Sequence, residues 1–376
     1  MAAGIIFANL NDKNIPELTA VRTQASVPFG GRYRLIDFVL STMVNAGITN
    51  VNVITSYNYQ SLVDHLGSGK DWDLARRTGG LRMLTPNIAS FSTRGVSRYD
   101  TRLDALYSIS DALAKTKDEL LVISDSDAIF NLDLSDMIAK HKESGADLTF
   151  AVKRMTLTGN ESEKYNLYTS DANANLTEVS AHPLYVEGEY DVSMNLWIAN
   201  RSFLLSAIRD AAAHGYDSIT RGIVARYMGR AKMKVYRYDG YFACVNQLED
   251  YYACSMQLIS DPDMWDGLFG QKNRPIITKV RNSPSTQYVS GSQVKSSMIA
   301  DGCVIEGTVE NCILFRGVRI GKGSVVKNCI LFQDTIVGEG SQLSSVITDK
   351  NVVIRQGVTL CGHPSKPFYI DKNKMI

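Results

Sequence analysis

A phosphate-handling site at the end of a first β-strand needs glycines, so that backbone amides can approach, and a cation to take up charge. The segment GIIFANLNDKNIPEL, Gly4 to Leu18, opens as such a strand would, with Ile5, Ile6 and Phe7 in a buried apolar run, but its loop offers Asn9, Leu10, Asn11, Asp12, Lys13 and Asn14. Either the loop holds a nucleotide by other means or the chain no longer performs the chemistry. Metal chemistry through sulfur has little support: Cys244, Cys254, Cys303, Cys312, Cys329 and Cys361 form no CxxC pair, which predicts reduced, mostly buried thiols and no zinc site.

The elements that would position a site follow from periodicity. NVNVITSY (50–57), ELLVIS (119–124) and GADLTFAV (145–152) read as strands, and TRLDALYSISDALAK (101–115) as a helix. YRLIDFVLSTMVNAG (33–47) puts Leu35, Phe38, Val39 and Met43 on one helical stripe and stops at Gly47. Strands alternating with helices predict an α/β domain with a mostly parallel sheet covered on both faces, whose ligand sits outside the carboxyl ends of the strands. The loop after the first strand is then the place to look.

Beyond Arg281 the helical spacing gives way to a period of six. Leu314, Ile320, Val326 and Phe332 form one series, and Cys312, Val318, Ser324 and Ile330 a parallel one, punctuated by IGKGS and VGEGS. That is the hexapeptide pattern of a parallel β-helix with three short sides to each coil. The expected organisation is an α/β domain over 1–260, a proline-bearing connector over 261–289 and a β-helix over 290–376. The net charge of +1 suggests neither nucleic acid nor an anionic membrane as partner, and no apolar run approaches the ~20 residues of a membrane span. With no secretory pattern at the N-terminus, a cytoplasmic protein is expected.

The block SVPFGGRYRLIDFVLSTMVNAGITNVNVITSY (26–57) closely resembles bacterial glucose-1-phosphate adenylyltransferases, the ADP-glucose pyrophosphorylases of glycogen synthesis, and the resemblance runs the length of the chain. It implies a nucleotidyltransferase (Rossmann-like) domain followed by a left-handed β-helix, and a reaction in which glucose 1-phosphate attacks the α-phosphorus of ATP with divalent metal help. Such a reaction depends on close backbone amides, cationic side chains and carboxylates that hold Mg2+.

Measured against the family's motifs, the charge-handling positions differ. Its glycine-rich loop, roughly G-G-x-G-T-R-L, sets glycines where this chain has Asn9, Leu10 and Asp12 and an arginine where it has Asn14, so Asp12 is expected to repel phosphates. R-A-K-P-A-V becomes RTQASV, keeping Arg22 but replacing lysine by Gln24; the glutamine that faces adenine becomes Ser56; G-T-A-D-A becomes TRLDA with bulky Arg102 and Leu103. Of the two metal aspartates, Asp127 remains in SDAIF, while the partner in the G-Y-W-x-D-V-G-T motif has become Cys244, a poor ligand for so hard a cation. The E-K-P sugar-phosphate motif aligns with Ala181, His182 and Pro183, and S-M-G-I-Y becomes SMNLW with Asn195 for the glycine.

This pattern of loss resembles the GlgD-type subunit that accompanies a catalytic GlgC-type subunit. It implies a chain without a cofactor of its own, Mg2+ being expected in the partner, and assembly as a heterotetramer. A phosphate-bearing small-molecule effector is expected at Arg22, Arg32 and Arg34, with Arg316 or Arg319 as further candidates. Two other classes compete: a weakly active sugar-phosphate nucleotidyltransferase in which Asp127 carries metal with help from ATP, and a hexapeptide-repeat acyltransferase, for which His363 is the sole histidine beyond residue 214.

Overall fold

The computed structural model describes residues 1–85 and 101–376. The chain divides into two compact units that interleave in sequence: Met1–Asn11, Phe38–Cys244 and Asn273–Ile277 form one, and Asp12–Asp37, Val245–Lys272 and Thr278–Ile376 the other.

The first unit is built on strands β1 (Ala2–Phe7), β2 (Asn50–Ile54), β3 (Gly80–Leu84), β4 (Leu120–Asp125), β6 (Leu148–Leu157), β7 (Asn166–Ser170), β8 (Leu176–Ala181), β9 (Gly188–Asn200) and β10 (Met233–Arg237), with β5 (Ala128–Phe130) and β11 (Phe242–Cys244) forming a separate ladder. The nine-stranded sheet runs β8-β7-β9-β4-β1-β2-β3, and β6 joins β9 to β10. Its β4-β1-β2-β3 half is parallel, as the alternation of strands and helices predicts. The sheet as a whole is mixed, because β9 runs antiparallel to β4, β6 and β7, and β7 antiparallel to β8. The physical reason lies in the stretch from 148 to 200, where strands follow one another without a crossover helix and therefore return antiparallel. Gly4 of β1 lets helix α1 (Leu35–Asn45) pack closely: a Cβ there would lie 2.5 Å from Met43 Sδ, which would have to move.

Strand and helix positions follow the apolar patterns with local departures. The helix expected over 101–115 is broken at Ile109 into α2 (Arg102–Ser108) and α3 (Ser110–Lys115), where Ser108 Oγ donates to the Ala105 carbonyl at 2.7 Å. Helix α4 (Leu134–Ser144) is N-capped by Asp133 and ends at Gly145 in the left-handed conformation, which turns the chain into β6.

In the second unit, three five-stranded parallel sheets make the sides of a β-helix, beginning with Gln287–Tyr288, ahead of residue 290. Inward residues stack coil upon coil, Ile305 on Ile320 on Val337 on Ile354, and Val309 on Val326 on Leu343. Cys303, Cys312 and Cys329 belong to that core; Cys361 is exposed. The six-residue period slips at one corner: after Val326 the inward residues are Cys329 and Leu331, and Phe332 lies outside that core. The slip occurs because Asn311, Asn328 and Ser345 take the corner in the left-handed conformation, the first two linked by a 2.6 Å amide hydrogen bond. Phe332 packs instead against the Tyr251 ring, 6.2 Å between centroids, on the helix Leu248–Ser260. Among the described residues no helix is long and apolar enough to cross a membrane.

Candidate active site and cation cluster

Strands β1 and β4 pair to their last residues, Phe7 beside Asp125, so the loop after β1 and the turn after β4 leave the sheet side by side at its carboxyl edge. Asn9 donates from Nδ2 to Ser56 Oγ at 2.8 Å, so two positions that the family motif assigns to nucleotide contact satisfy each other. Asn11 Nδ2 donates to Asp127 Oδ2 at 2.6 Å and to Asp125 Oδ2 at 3.3 Å. Thr101 caps α2, its Oγ1 accepting from the Asp104 N–H at 3.1 Å, and this sets Arg102 at the first helical position. From there Arg102 Nε donates to both Asp125 oxygens at 2.9 and 3.0 Å, and Nη2 makes a further bond to Oδ2.

Asp125 and Asp127 are both buried, and the Arg102 guanidinium bonds Asp125 while acting on Asp127 through its charge alone. Burial, followed by the Asp125 charge, pushes the Asp127 carboxyl up to about 7 against the pull of Arg102. Burial opposes the Arg102 charge too, but Asp125 outweighs it and raises the guanidinium's affinity for its proton. Asp127 Oδ1 is buried and, among the described residues, accepts no hydrogen bond from another residue.

Beside this centre lies a cavity of about 280 Å³, lined among others by Leu10, Asn11, Arg102, Tyr168, His182 and Trp197. Its aromatic wall stacks Phe150 between Tyr168 and Trp197, at 5.1 and 6.2 Å, and burial pushes the Tyr168 hydroxyl up to about 12. Ala181 and His182 line the cavity, and His182 Nδ1 lies 2.9 Å from the Glu163 carbonyl oxygen. Asn195 lines it too, at φ 52°, where β9 shifts register against β6; an asparagine tolerates this left-handed backbone better than most residues. Among the described residues of the lining, Arg102 is the one permanently charged cation, and it is paired with Asp125.

Asp127 and Cys244 come together as the family motif demands, since Cys244 pairs with Ala128 across the β5–β11 ladder. With Arg102 in place, the Asp127–Cys244 pair does not suit Mg2+. Cys244 contributes sulfur, Arg102 places positive charge against the carboxylates, and no group of three or more His, Cys, Asp or Glu among the described residues is arranged to hold a metal.

The remaining loop residues belong to the second unit. The Asp12 carboxylate is buried and accepts the Gln24 N–H at 2.7 Å, because this backbone donor needs an acceptor once buried. Gln24 is buried and donates from Nε2 to the Val245 carbonyl at 2.6 Å, while Asn14 is exposed. Arg22 is only 2 % exposed and holds Asp349 through Nη2 at 2.6 and 2.9 Å, with Nη1 on the Leu18 carbonyl.

The three arginines expected to bind an anion therefore part company. Arg22 and Arg34 share a neighbourhood with Lys350, whose amine is pushed down to about 7 by burial and by those two guanidiniums, with Lys372 adding to the effect and Asp349 opposing it. Arg32 is exposed and instead faces Arg316, whose charge is disfavoured by burial, Arg281 and Arg32 in that order; Arg319 is exposed on the β-helix. Sequence reasoning passed over two features of this charge arrangement, Lys350 and the Arg102–Asp125 pair. The signal for the second was present in an arginine at the start of a capped helix, where the helix dipole disfavours a cation.

An α/β sheet whose site lies at the carboxyl edge of its parallel strands, in a chain that also carries hexapeptide coils, defines a sugar-nucleotidyltransferase architecture. Residues 7–260 match the nucleotidyl transferase family, and residues 284–366 match the GlmU-like C-terminal hexapeptide family. The chain is 34% identical over 324 residues to the glycogen biosynthesis protein GlgD of Bacillus subtilis, covering 85% of this chain and 81% of the relative. It is 38% identical to GlgD of Geobacillus stearothermophilus (86% and 82% covered) and 31% identical to glucose-1-phosphate adenylyltransferase of Halalkalibacterium halodurans (86% and 83%). The chain thus belongs to the nucleotidyl transferase family, in the group formed by the GlgD proteins and the glucose-1-phosphate adenylyltransferases.

Proposed function

We propose that this chain is a catalytically degenerate, regulatory subunit of a cytoplasmic glucose-1-phosphate adenylyltransferase. In this reading it activates a GlgC-type catalytic partner in ADP-glucose synthesis for glycogen, within a heterotetramer. The observation that carries the reading is the internal neutralisation of the centre: Arg102 is paired with Asp125, Asn11 is spent on Asp127, and Cys244 stands at the second metal position. Phosphoryl transfer depends on positioned cations facing the developing charge. Here the lining cation faces a protein carboxylate instead. The chain uses no cofactor itself, and Mg2+ acts in the partner.

Activation requires contacts that differ between the partner's active and inactive states. A phosphate-bearing effector fits the same scheme, since Arg22, Arg34, Lys350 and Lys372 outnumber the one carboxylate, Asp349, that opposes them at Lys350. The experiment is a titration of this chain into a catalytic glucose-1-phosphate adenylyltransferase, following pyrophosphate release. The expected result is no turnover alone and a rate that rises to a plateau at fixed stoichiometry. Slow but measurable turnover by the isolated chain would favour the second reading, a weakly active nucleotidyltransferase, which the 280 Å³ cavity supports, and turnover at the catalytic chain's rate would rule out the regulatory one. A flat titration would remove the regulatory reading.

A further inference from the structure

We propose that Arg102 is a tethered counter-cation: its guanidinium occupies the Asp125–Asp127 carboxylate pair in place of a divalent ion, so that the native centre excludes metal and loss of the Arg102 charge opens a metal site. The inference goes beyond the proposed function, because cation binding is measurable with or without a catalytic partner.

Four observations carry it. Asp125 and Asp127 are 4% and 2% exposed, and two such carboxylates require positive charge nearby. Arg102 supplies it through three bonds, all to Asp125. Asp127 is left with the Asn11 amide and a buried Oδ1 that takes no hydrogen bond from another described residue. Among the described residues the two carboxylates share a single guanidinium, whereas a divalent cation would match the charge of both. Asp125, Asp127 and the Asn11 amide oxygen, once that amide turns over, make the hard all-oxygen donor set that Mg2+ and Mn2+ prefer. Cys244 takes no part in that set.

Tethering explains why the guanidinium prevails over free metal. Thr101 fixes the start of α2, so Arg102 reaches Asp125 as an intramolecular ligand, at an effective concentration of order millimolar or above. The helix itself gains nothing from a cation in its first turn, so Arg102 serves Asp125 rather than α2.

The test is a Mn2+ titration of the purified full chain, read by electron paramagnetic resonance, for wild type, Arg102→Lys, Arg102→Ala and Arg102→Gln, with folding checked by circular dichroism. Wild type and Arg102→Lys, which keeps the charge, are expected to show no saturable site. Arg102→Ala, and Arg102→Gln should the alanine variant not fold, are expected to bind one Mn2+ at least about ten-fold more tightly than wild type, and to lose it on adding Asp127→Asn. A saturable Mn2+ site in the wild-type chain that Asp127→Asn abolishes would overturn the proposal, as would folded charge-removal variants that bind no more tightly than wild type.

Discussion

The Asp12 carboxylate accepts the Gln24 backbone N–H at 2.7 Å, and the Gln24 side chain donates onward to the Val245 carbonyl at 2.6 Å. Two positions that the family motifs assign to phosphate handling have become a buried structural clasp. Asp12→Ala should therefore lower stability by about 1–3 kcal/mol, the cost of stranding a buried donor. Urea unfolding of wild type and variant measures it, and an unchanged midpoint would show that the clasp is dispensable.

Arg22 and Asp349, 327 residues apart, make a buried ion pair. Removing either partner leaves the other charge buried, so Arg22→Ala and Asp349→Ala should each cost about 3–5 kcal/mol. The double variant should cost less than the sum of the two, and a double-mutant cycle with additive effects would contradict a direct pairing.

Lys350 gives pH dependence of a definite sign. Folded, it releases its proton near 7, where burial and the guanidiniums of Arg34 and Arg22 hold it; unfolded, it does so at its ordinary value of 10.5. Between those values the unfolded state binds more protons, so stability should rise with pH across that window relative to Lys350→Met. Inorganic phosphate, which favours the charged amine, should bind more tightly below pH 7 than above it. Calorimetric titration at pH 6 and pH 8.5 would reveal the difference, and equal affinities would separate Lys350 from anion binding.

Asn195 holds a left-handed backbone at φ 52° in the cavity wall. Asn195→Gly should leave stability within a few tenths of a kcal/mol, whereas Asn195→Val should cost about 1–2 kcal/mol, because a β-branched side chain tolerates a left-handed backbone far less well than asparagine does. Thermal unfolding distinguishes them, and equal melting temperatures would mean that the backbone relaxes.

Much of this architecture was legible in the chain because it is repeated locally. Gly145 and Gly47 mark helix ends through their own backbone freedom, and the buried stacks of the β-helix announce themselves every six residues. Phe332 broke that count because the corner at Asn328 shortens one side, a backbone matter that apolar spacing does not encode. The mixed half of the sheet was hidden likewise, since a strand's period of two is the same whether its neighbour runs parallel or antiparallel.

The sequence by itself determined the chemical inventory: no glycines in the loop, glutamine for lysine at 24, cysteine for aspartate at 244, and an arginine at 102 whose purpose stayed unread. Only the tertiary structure decided the partners. Asn11 meets Asp127 across 116 residues, Arg102 meets Asp125 across 23, and Arg22, a candidate for binding an anion, is held by Asp349. A residue's type is fixed by its own side chain. Whether its charge remains available to a ligand depends on which distant group the fold brings within about 3 Å, and that distance is set by topology rather than by neighbours in the chain.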